Sequence, residues 1–341
     1  MSENEHQIFI NHLILHILDT NVGAPVLSAK ELEAGEEGFG FVEKIVEKLL
    51  ADDNLKDASF VGEANPVRER CIGLMEGRED FVEVSRTMAN MLYEIMSHYP
   101  SIPPADLVCC QTAIDGRPYL VLLKLNYKTG YIHFVQYDGD TQMNTIVKQK
   151  TVLPSESQRV DEGVLIDLEE LRIRLVEKGY ELDGEKGFYL SQKLLACRDQ
   201  LSTAEKAKII SKAVETVGKK FGAEAFDTVA RLRKTVVENI HDETATVDIE
   251  GVAKEIFSGQ PAAQQEYIEE VRKAGVSETE VRLSEKIAER KFSNHKIKTD
   301  TGIEILFPAT YFNNNEMIEF VNNPNGTISI VIKNVGKITN K

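Results

Sequence analysis

The closest approach to a catalytic arrangement in this 341-residue chain is Asp106 with Lys124, an acid and a lysine on neighbouring strand-like runs. A metal-dependent nuclease holds its cation with carboxylates beside such a lysine. That chemistry wants Glu or Asp two residues before Lys124, where this chain has Leu122, so nuclease activity is the weakest reading. Asp138 and Asp140 flank Gly139, but no third acid follows at calcium-loop spacing, and the trio reads as a solvated hairpin turn. Ser155 and Ser157 lack the glycine elbow that exposes a nucleophilic serine. His12 and His16 would share a helix face as metal ligands do, whereas on a strand they stand about 13 Å apart. Their β-branched and aromatic neighbours favour the strand. The glycines between Gly35 and Gly40 have the wrong spacing for a phosphate loop, and no Gly-Lys-Ser/Thr follows. The cysteines Cys71, Cys109, Cys110 and Cys197 form no Cys-x-x-Cys pair and read as buried free thiols. No catalytic residue, metal site or cofactor is expected.

Positive charge remains as the one feature with chemical promise. The chain carries a net charge of −15, which alone disfavours a polyanion partner. The first hundred residues hold 8 basic and 19 acidic side chains, a net of −11, which leaves only −4 for the other 241. Residues 206–234 hold eight basic and three acidic side chains, and residues 282–298 hold six and two. Local patches decide whether a polyanion docks. In the first stretch Lys208 and Lys212 fall one helical turn apart, Lys219 and Lys220 close the helix, and Arg231, Arg233 and Lys234 follow on the next. The second stretch offers Arg282, Lys286, Arg290 and Lys291, with Lys296 and Lys298 beyond. A solvated helix face explains any one of these cations; a phosphate-binding surface needs many of them on one side.

The elements that must position these groups follow from periodicity. Residues 7–18 read as a strand buried on both faces, 39–51 as an amphipathic helix, 52–65 as a loop, and Pro66 as the opening of a short helix. Phe81, Val84, Met88, Leu92, Ile95 and Tyr99 recur at three- and four-residue steps and mark a helix over 79–99 whose apolar stripe faces the core. Strands at 107–114, 119–127 and 131–137, linked at Asp115-Gly116 and Lys128-Thr129-Gly130, form an antiparallel meander, and a fourth at 143–152 leads on. A polar crossover over 154–161, in which Arg159 pairs with Asp161 and Glu162, precedes an apolar run at 164–168 and a helix entry. Helices are expected over 203–221, 223–240, 248–257, from Pro261 to a stop at Gly275, and over 280–291 behind Ser277 and Thr279. Strands return at 296–299, 303–307, 317–321 and 327–333, the last two joined by an Asn-Asn-Pro-Asn-Gly turn.

The fold class is therefore α+β. We expect an N-terminal α+β domain over residues 1–186, a helical segment over 187–292 and a C-terminal β-hairpin region over 293–341. With 42% apolar and 28% charged residues the chain has the composition of a folded protein. It contains no apolar run long enough to span a bilayer, and its first residues, MSENEHQ, lack the basic start of a signal peptide. A cytoplasmic location without membrane contact is expected. Open strand edges near both ends of the chain would allow a homo-oligomer.

Four segments carry a resemblance: KLNYKTGYIHF at 124–134, KQKTVLPSESQRVDEGVLIDL at 148–168, FYLSQKLLAC at 188–197, and a tail with KIKTDTGIEILFP and IEFVNNPNGTISIVIKNVGKI. With them the chain resembles, over almost its whole length, the bacterial nucleoid-associated protein family often called NdpA. The resemblance implies a non-enzymatic protein located with the nucleoid and associated with DNA. It transfers no DNA-contacting residue, so the thirteen cations above rest on charge clustering alone. They suit double-stranded DNA gripped by its phosphates with little sequence specificity. The alternative is an adaptor recruited to the nucleoid by a DNA-handling protein.

Overall fold

The computed structural model describes residues 6–339 apart from 34, 140, 223–224, 242–243 and 313. The chain divides into two compact units, Met1–Gln200 and Leu201–Lys341. The class is α+β, dominated by antiparallel strands.

The first unit contains, in chain order, β1 (Ile8–Leu18), α1 (Glu36–Leu50), β2 (Lys56–Phe60), α2 (Pro66–Met75), α3 (Phe81–His98), β3 (Ala105–Ile114), β4 (Arg117–Asn126), β5 (Lys128–Asp138), β6 (Thr141–Val152), β7 (Gly163–Asp167), β8 (Arg172–Val176), β9 (Tyr180–Leu182), β10 (Glu185–Gly187), a helical turn over Leu190–Leu194 and β11 (Cys197–Asp199). Its centre is an antiparallel seven-stranded sheet in the order β1-β3-β4-β7-β8-β2-β11. Both faces of this sheet are covered, which is why β3 and β4 read as nearly unbroken apolar runs. On one face Cys109, Leu122 and Ile166 pack with α2, α3 and the Leu190–Leu194 turn. On the other, Cys110, Val121 and Leu165 pack with Val42, Val46 and Leu49 of α1. Adjacent cysteines thus serve opposite layers, as strand alternation requires.

α3 forms where its stripe predicts: Asp80 caps it by accepting the backbone N–H groups of Val82 and Glu83, and Phe81, Val84, Met88 and Leu92 are buried. The β3–β4 turn places Asp115 and Gly116 at φ of 50° and 81°, the left-handed pair of a tight hairpin.

Four expectations for this unit fail. The segment 52–65 contains β2, which pairs with β8 through Ala58↔Ile173. The meander stops at β4, whose second neighbour is β7, while β5 and β6 form a separate two-stranded sheet. The chain breaks at Tyr127, so Lys128, Thr129 and Gly130 lie inside β5 and are no turn. After β7 there is no helix: Leu171 turns the chain at a φ of 55° into β8. Of the Asp138-Gly139-Asp140 trio, Gly139 sits in the turn, and Asp140 lies outside the described residues.

The second unit comprises α4 (Thr203–Lys220), α5 (Ala225–Glu238), β12 (Ile240–His241), β13 (Thr244–Asp248), α6 (Ile249–Ile256), α7 (Pro261–Lys273), β14 (Glu280–Ser284), α8 (Glu285–Phe292), β15 (Asn294–Lys298), β16 (Glu304–Pro308), β17 (Ile318–Asn322) and β18 (Ile328–Ile332). Ser202 and Glu205 form a capping box on α4. Of the expected helix start at 223–240, residues 223 and 224 lie outside the described set. The helix expected over 280–291 is a strand followed by a shorter helix. Val281 and Leu283 alternate inward with period two, and Ser284, not Ser277 or Thr279, caps α8 by accepting the N–H of Ile287. β14 completes a three-stranded sheet with β12 and β13 inside the segment read as helical. The hairpins β15–β16 and β17–β18 form as expected, the latter around Asn323, Asn325 and Gly326.

Candidate nucleic-acid interface

On α4, Ala207, Ile210, Val214 and Val217 are buried, which turns Lys208, Lys212, Glu215 and Lys219 outward at spacings of four, three and four residues. That spacing puts them in one stripe on the solvent face. Glu215 takes Lys219 at 2.6 Å, whereas Lys208 and Lys212 have no ion-pair partner among the described residues. Lys220 is held by Glu266.

α5 is less open than its composition suggests. Arg231 pairs with Asp227 at 2.7 Å and Lys234 with Glu238 at 3.8 Å. Arg233 donates from Nη1 to the carbonyl of Asn294, and burial lowers its pKa, so it fastens α5 to β15.

In the second cluster, Arg282 projects from the outer face of β14 between buried Val281 and Leu283, with Thr246 opposite. Lys286 stands exposed in the first turn of α8. Neither has an ion-pair partner among the described residues. Arg290 is exposed but engaged, and Lys291 donates to the carbonyl of Ala204 at 2.7 Å, tying α8 to α4. On β15, Lys296 pairs with Glu304 at 2.8 Å, and Lys298 on the same face has no such partner among the described residues. The thirteen cations therefore sort by partner. Lys208, Lys212, Arg282, Lys286 and Lys298 are exposed without an ion pair among the described residues, Lys298 standing across the register from a Glu304 that Lys296 takes, and the other eight are engaged.

The first unit treats charge differently. Lys124, buried on β4, donates to Glu162 at 3.1 Å, and Glu162 is fully buried. The same carboxylate accepts the hydroxyls of Tyr189 at 2.5 Å and Tyr180 at 3.0 Å and the amide of Asn126 at 2.7 Å. Burial lowers the Lys124 pKa against the pull of Glu162, and burial together with that carboxylate raises both tyrosines. Asp106 accepts the Tyr127 hydroxyl at 2.9 Å, and its pKa is raised by burial. The pair expected to matter for a nuclease is thus split between two structural contacts. Among the described residues no three His, Cys, Asp or Glu side chains converge to hold a metal.

Two sequence readings change here. Arg159 pairs not with Asp161 or Glu162 but with Asp52, from Nε at 2.6 Å and from Nη2 at 3.0 Å. A second arginine group went unseen: Arg117, Arg172 and Arg174 line an open cavity of about 350 Å³ with Tyr119, Asp57 and Asp167. Arg172 and Arg174 share a face only because residues 172–176 are a strand; on a helix entry they would diverge. Glu170, Asp167 and Asp57 surround them, and Arg117 and Arg172 both bond Glu170, so this group is largely neutralised.

The buried network also brings three segments together. Lys124, Glu162 and Tyr189 come from 124–134, 148–168 and 188–197, the stretches in which the chain resembles known nucleoid proteins. A family model described as nucleoid-associated protein YejK matches residues 14–340. The chain belongs to this nucleoid-associated family. None of the curated proteins matches it. The family's likeness runs through both units, so the buried Lys124–Glu162 network and the exposed cations of the second unit fall within the same match. No helix among the described residues is long and apolar enough to cross a membrane.

Proposed function

We propose that this chain is a non-enzymatic, nucleoid-located protein that binds double-stranded DNA through its phosphates. Membership of the nucleoid-associated family sets the cellular context. The observation that carries the molecular reading is the presence, in the second unit, of five exposed cations without an ion pair among the described residues: Lys208, Lys212, Arg282, Lys286 and Lys298. A cation already paired gains little by exchanging a carboxylate for a phosphate. An unpaired one gains from the release of the counterions that the duplex carries. Exposed cations of this kind serve the phosphate backbone, so sequence preference is expected to be slight.

The test is a titration of fluorescent duplex with the intact chain at 50 and 200 mM salt. Five contacts give a slope of about −4.5 in log affinity against log salt, a loss of roughly 500-fold over that range. Two unrelated duplex sequences should bind within a few-fold of each other. Binding that ignores salt, or its absence at 50 mM, would sink the reading and leave recruitment by a DNA-handling protein, which co-purification with that partner would reveal.

A further inference from the structure

β5 and β6 run for 11 and 12 residues as an antiparallel hairpin, and among the described residues neither strand pairs with anything but the other. The register Tyr131↔Lys148, Ile132↔Val147, His133↔Ile146, Phe134↔Thr145, Val135↔Asn144 and Gln136↔Met143 divides the side chains between two faces. Opposed residues in such a pair lie on the same side. One face carries Ile132, Phe134, Met143 and Val147, with no charged residue among them or their opposites. The other carries Tyr131, Val135, Tyr137 and Ile146. All eight are exposed, Ile146 at 76% and Phe134 at 50%. None belongs to a hydrophobic cluster of the chain.

A two-stranded hairpin without a core is marginal in water. One that displays apolar side chains on both faces and two open edges invites association. We infer that the β5–β6 hairpin is a dimerisation arm, covered in solution by the same arm and neighbouring surface of a second copy of this chain.

Three features select a second copy as the occupant. The first is area. Eight large apolar side chains, spread over the two faces and exposed by 37–76%, offer several hundred Å² per copy, of the order of the roughly 800 Å² that one partner contributes to a standard interface. The second is self-complementarity. A two-fold axis sets the uncharged strip of Ile132, Phe134, Met143 and Val147 against itself, so no like charges are opposed. The third is the placing of positive charge along the arm: Lys128, Lys148 and Lys150 lie near its root. Two arms laid antiparallel put their roots at opposite ends, so the lysines of the two copies stay apart. A duplex would gain from the lysines but would find no further Lys or Arg along the rest of the arm.

Sedimentation velocity on the intact chain, from about 1 to 100 μM, tests this directly. We expect a species of twice the 38.2 kDa chain mass, with or without added duplex. Phe134→Glu and, separately, Ile146→Glu should each weaken self-association by about thirty-fold or more, the loss typical of a buried anchor. Gln136→Arg places a charge on the uncharged strip without removing an apolar side chain, and should do the same. Each variant should keep the far-ultraviolet circular dichroism of the parent, because the arm contributes nothing to the chain's cores. Phe134→Leu should preserve the dimer. A monomer at every concentration would overturn the inference. So would a dimer that all three charged variants leave intact, or an arm whose amides are protected from exchange only when duplex is present.

Discussion

Lysines meet opposite fates in the two units of this protein. Lys124 in the first is 3% exposed and bound to a carboxylate that also accepts from two tyrosines and an asparagine, while Lys208, Lys212 and Lys286 in the second stand in solvent without an ion pair among the described residues. Burying a lysine and a glutamate costs several kcal/mol of hydration that their attraction only partly returns, and three further hydrogen bonds to the carboxylate help to offset the rest. An exposed cation loses almost no hydration and keeps its charge available to a polyanion. On the proposed reading, DNA binding by a protein of net charge −15 turns on which cations are already paired.

The comparison can be broken most forcefully at the buried end. Lys124→Met leaves Glu162 buried without its counter-charge, and the unfolding free energy in denaturant should fall by about 3–5 kcal/mol. Adding Glu162→Gln, which removes the buried charge and keeps one acceptor oxygen for the tyrosine hydroxyls, should restore part of that loss. A single substitution costing under about 1 kcal/mol would show that Glu162 is not held by Lys124.

Buried histidines sharpen the contrast between hidden and displayed charge in both units. Burial, aided by Arg86, lowers His16 to about 4, and burial beside Arg233 lowers His295 to about 4 against its bond to the Ala230 carbonyl. Both are neutral in the fold, and the unfolded chain takes up protons first, below its ordinary histidine value of about 6.5. Their stabilisation is whole above that pH and is lost as pH falls from about 6.5 towards 4, by about 2 kcal/mol each at pH 5. Denaturant curves at pH 7 and pH 5 would register this, and His16→Gln should flatten the part due to the first unit. Stability that rises on acidification would contradict it.

A smaller effect is expected where a cation is paired. Lys219→Ala and Lys220→Ala should change duplex affinity less than about two-fold each, because their charge already goes to Glu215 and Glu266. A loss as large as that from Lys212→Ala would mean that surface ion pairs open freely on DNA.

Much of the fold was legible because periodicity survives burial. The stripe of α3, the Ser202 cap of α4, the stop at Gly275 and the Asn-rich hairpin turn all appear where local pattern puts them. What failed depends on partners distant in sequence. β2 is five residues long and becomes a strand by lying between β8 and β11, a fact no local window contains. β5 continues the alternation of β4 so smoothly that a four-stranded meander looked natural, yet β7 takes the place beside β4. β14 and α8 together were read as one helix, since Val281, Leu283, Ile287 and Ala288 satisfy short stretches of either period. The candidate surface was legible as charge but not as availability. Lys219 and Lys298 look alike in sequence, and only the fold shows that the first pairs with Glu215 while the second faces a Glu304 already taken by Lys296.

The measurement that bears most directly on the central claim compares the salt dependence of duplex binding between the parent chain and a variant with Lys208, Lys212, Arg282, Lys286 and Lys298 changed to glutamine. If these five cations grip the phosphates, affinity at 50 mM salt should fall at least a hundred-fold, and the slope of log affinity against log salt should drop from about −4.5 towards zero. A variant that binds with the parent's affinity and slope would contradict the account.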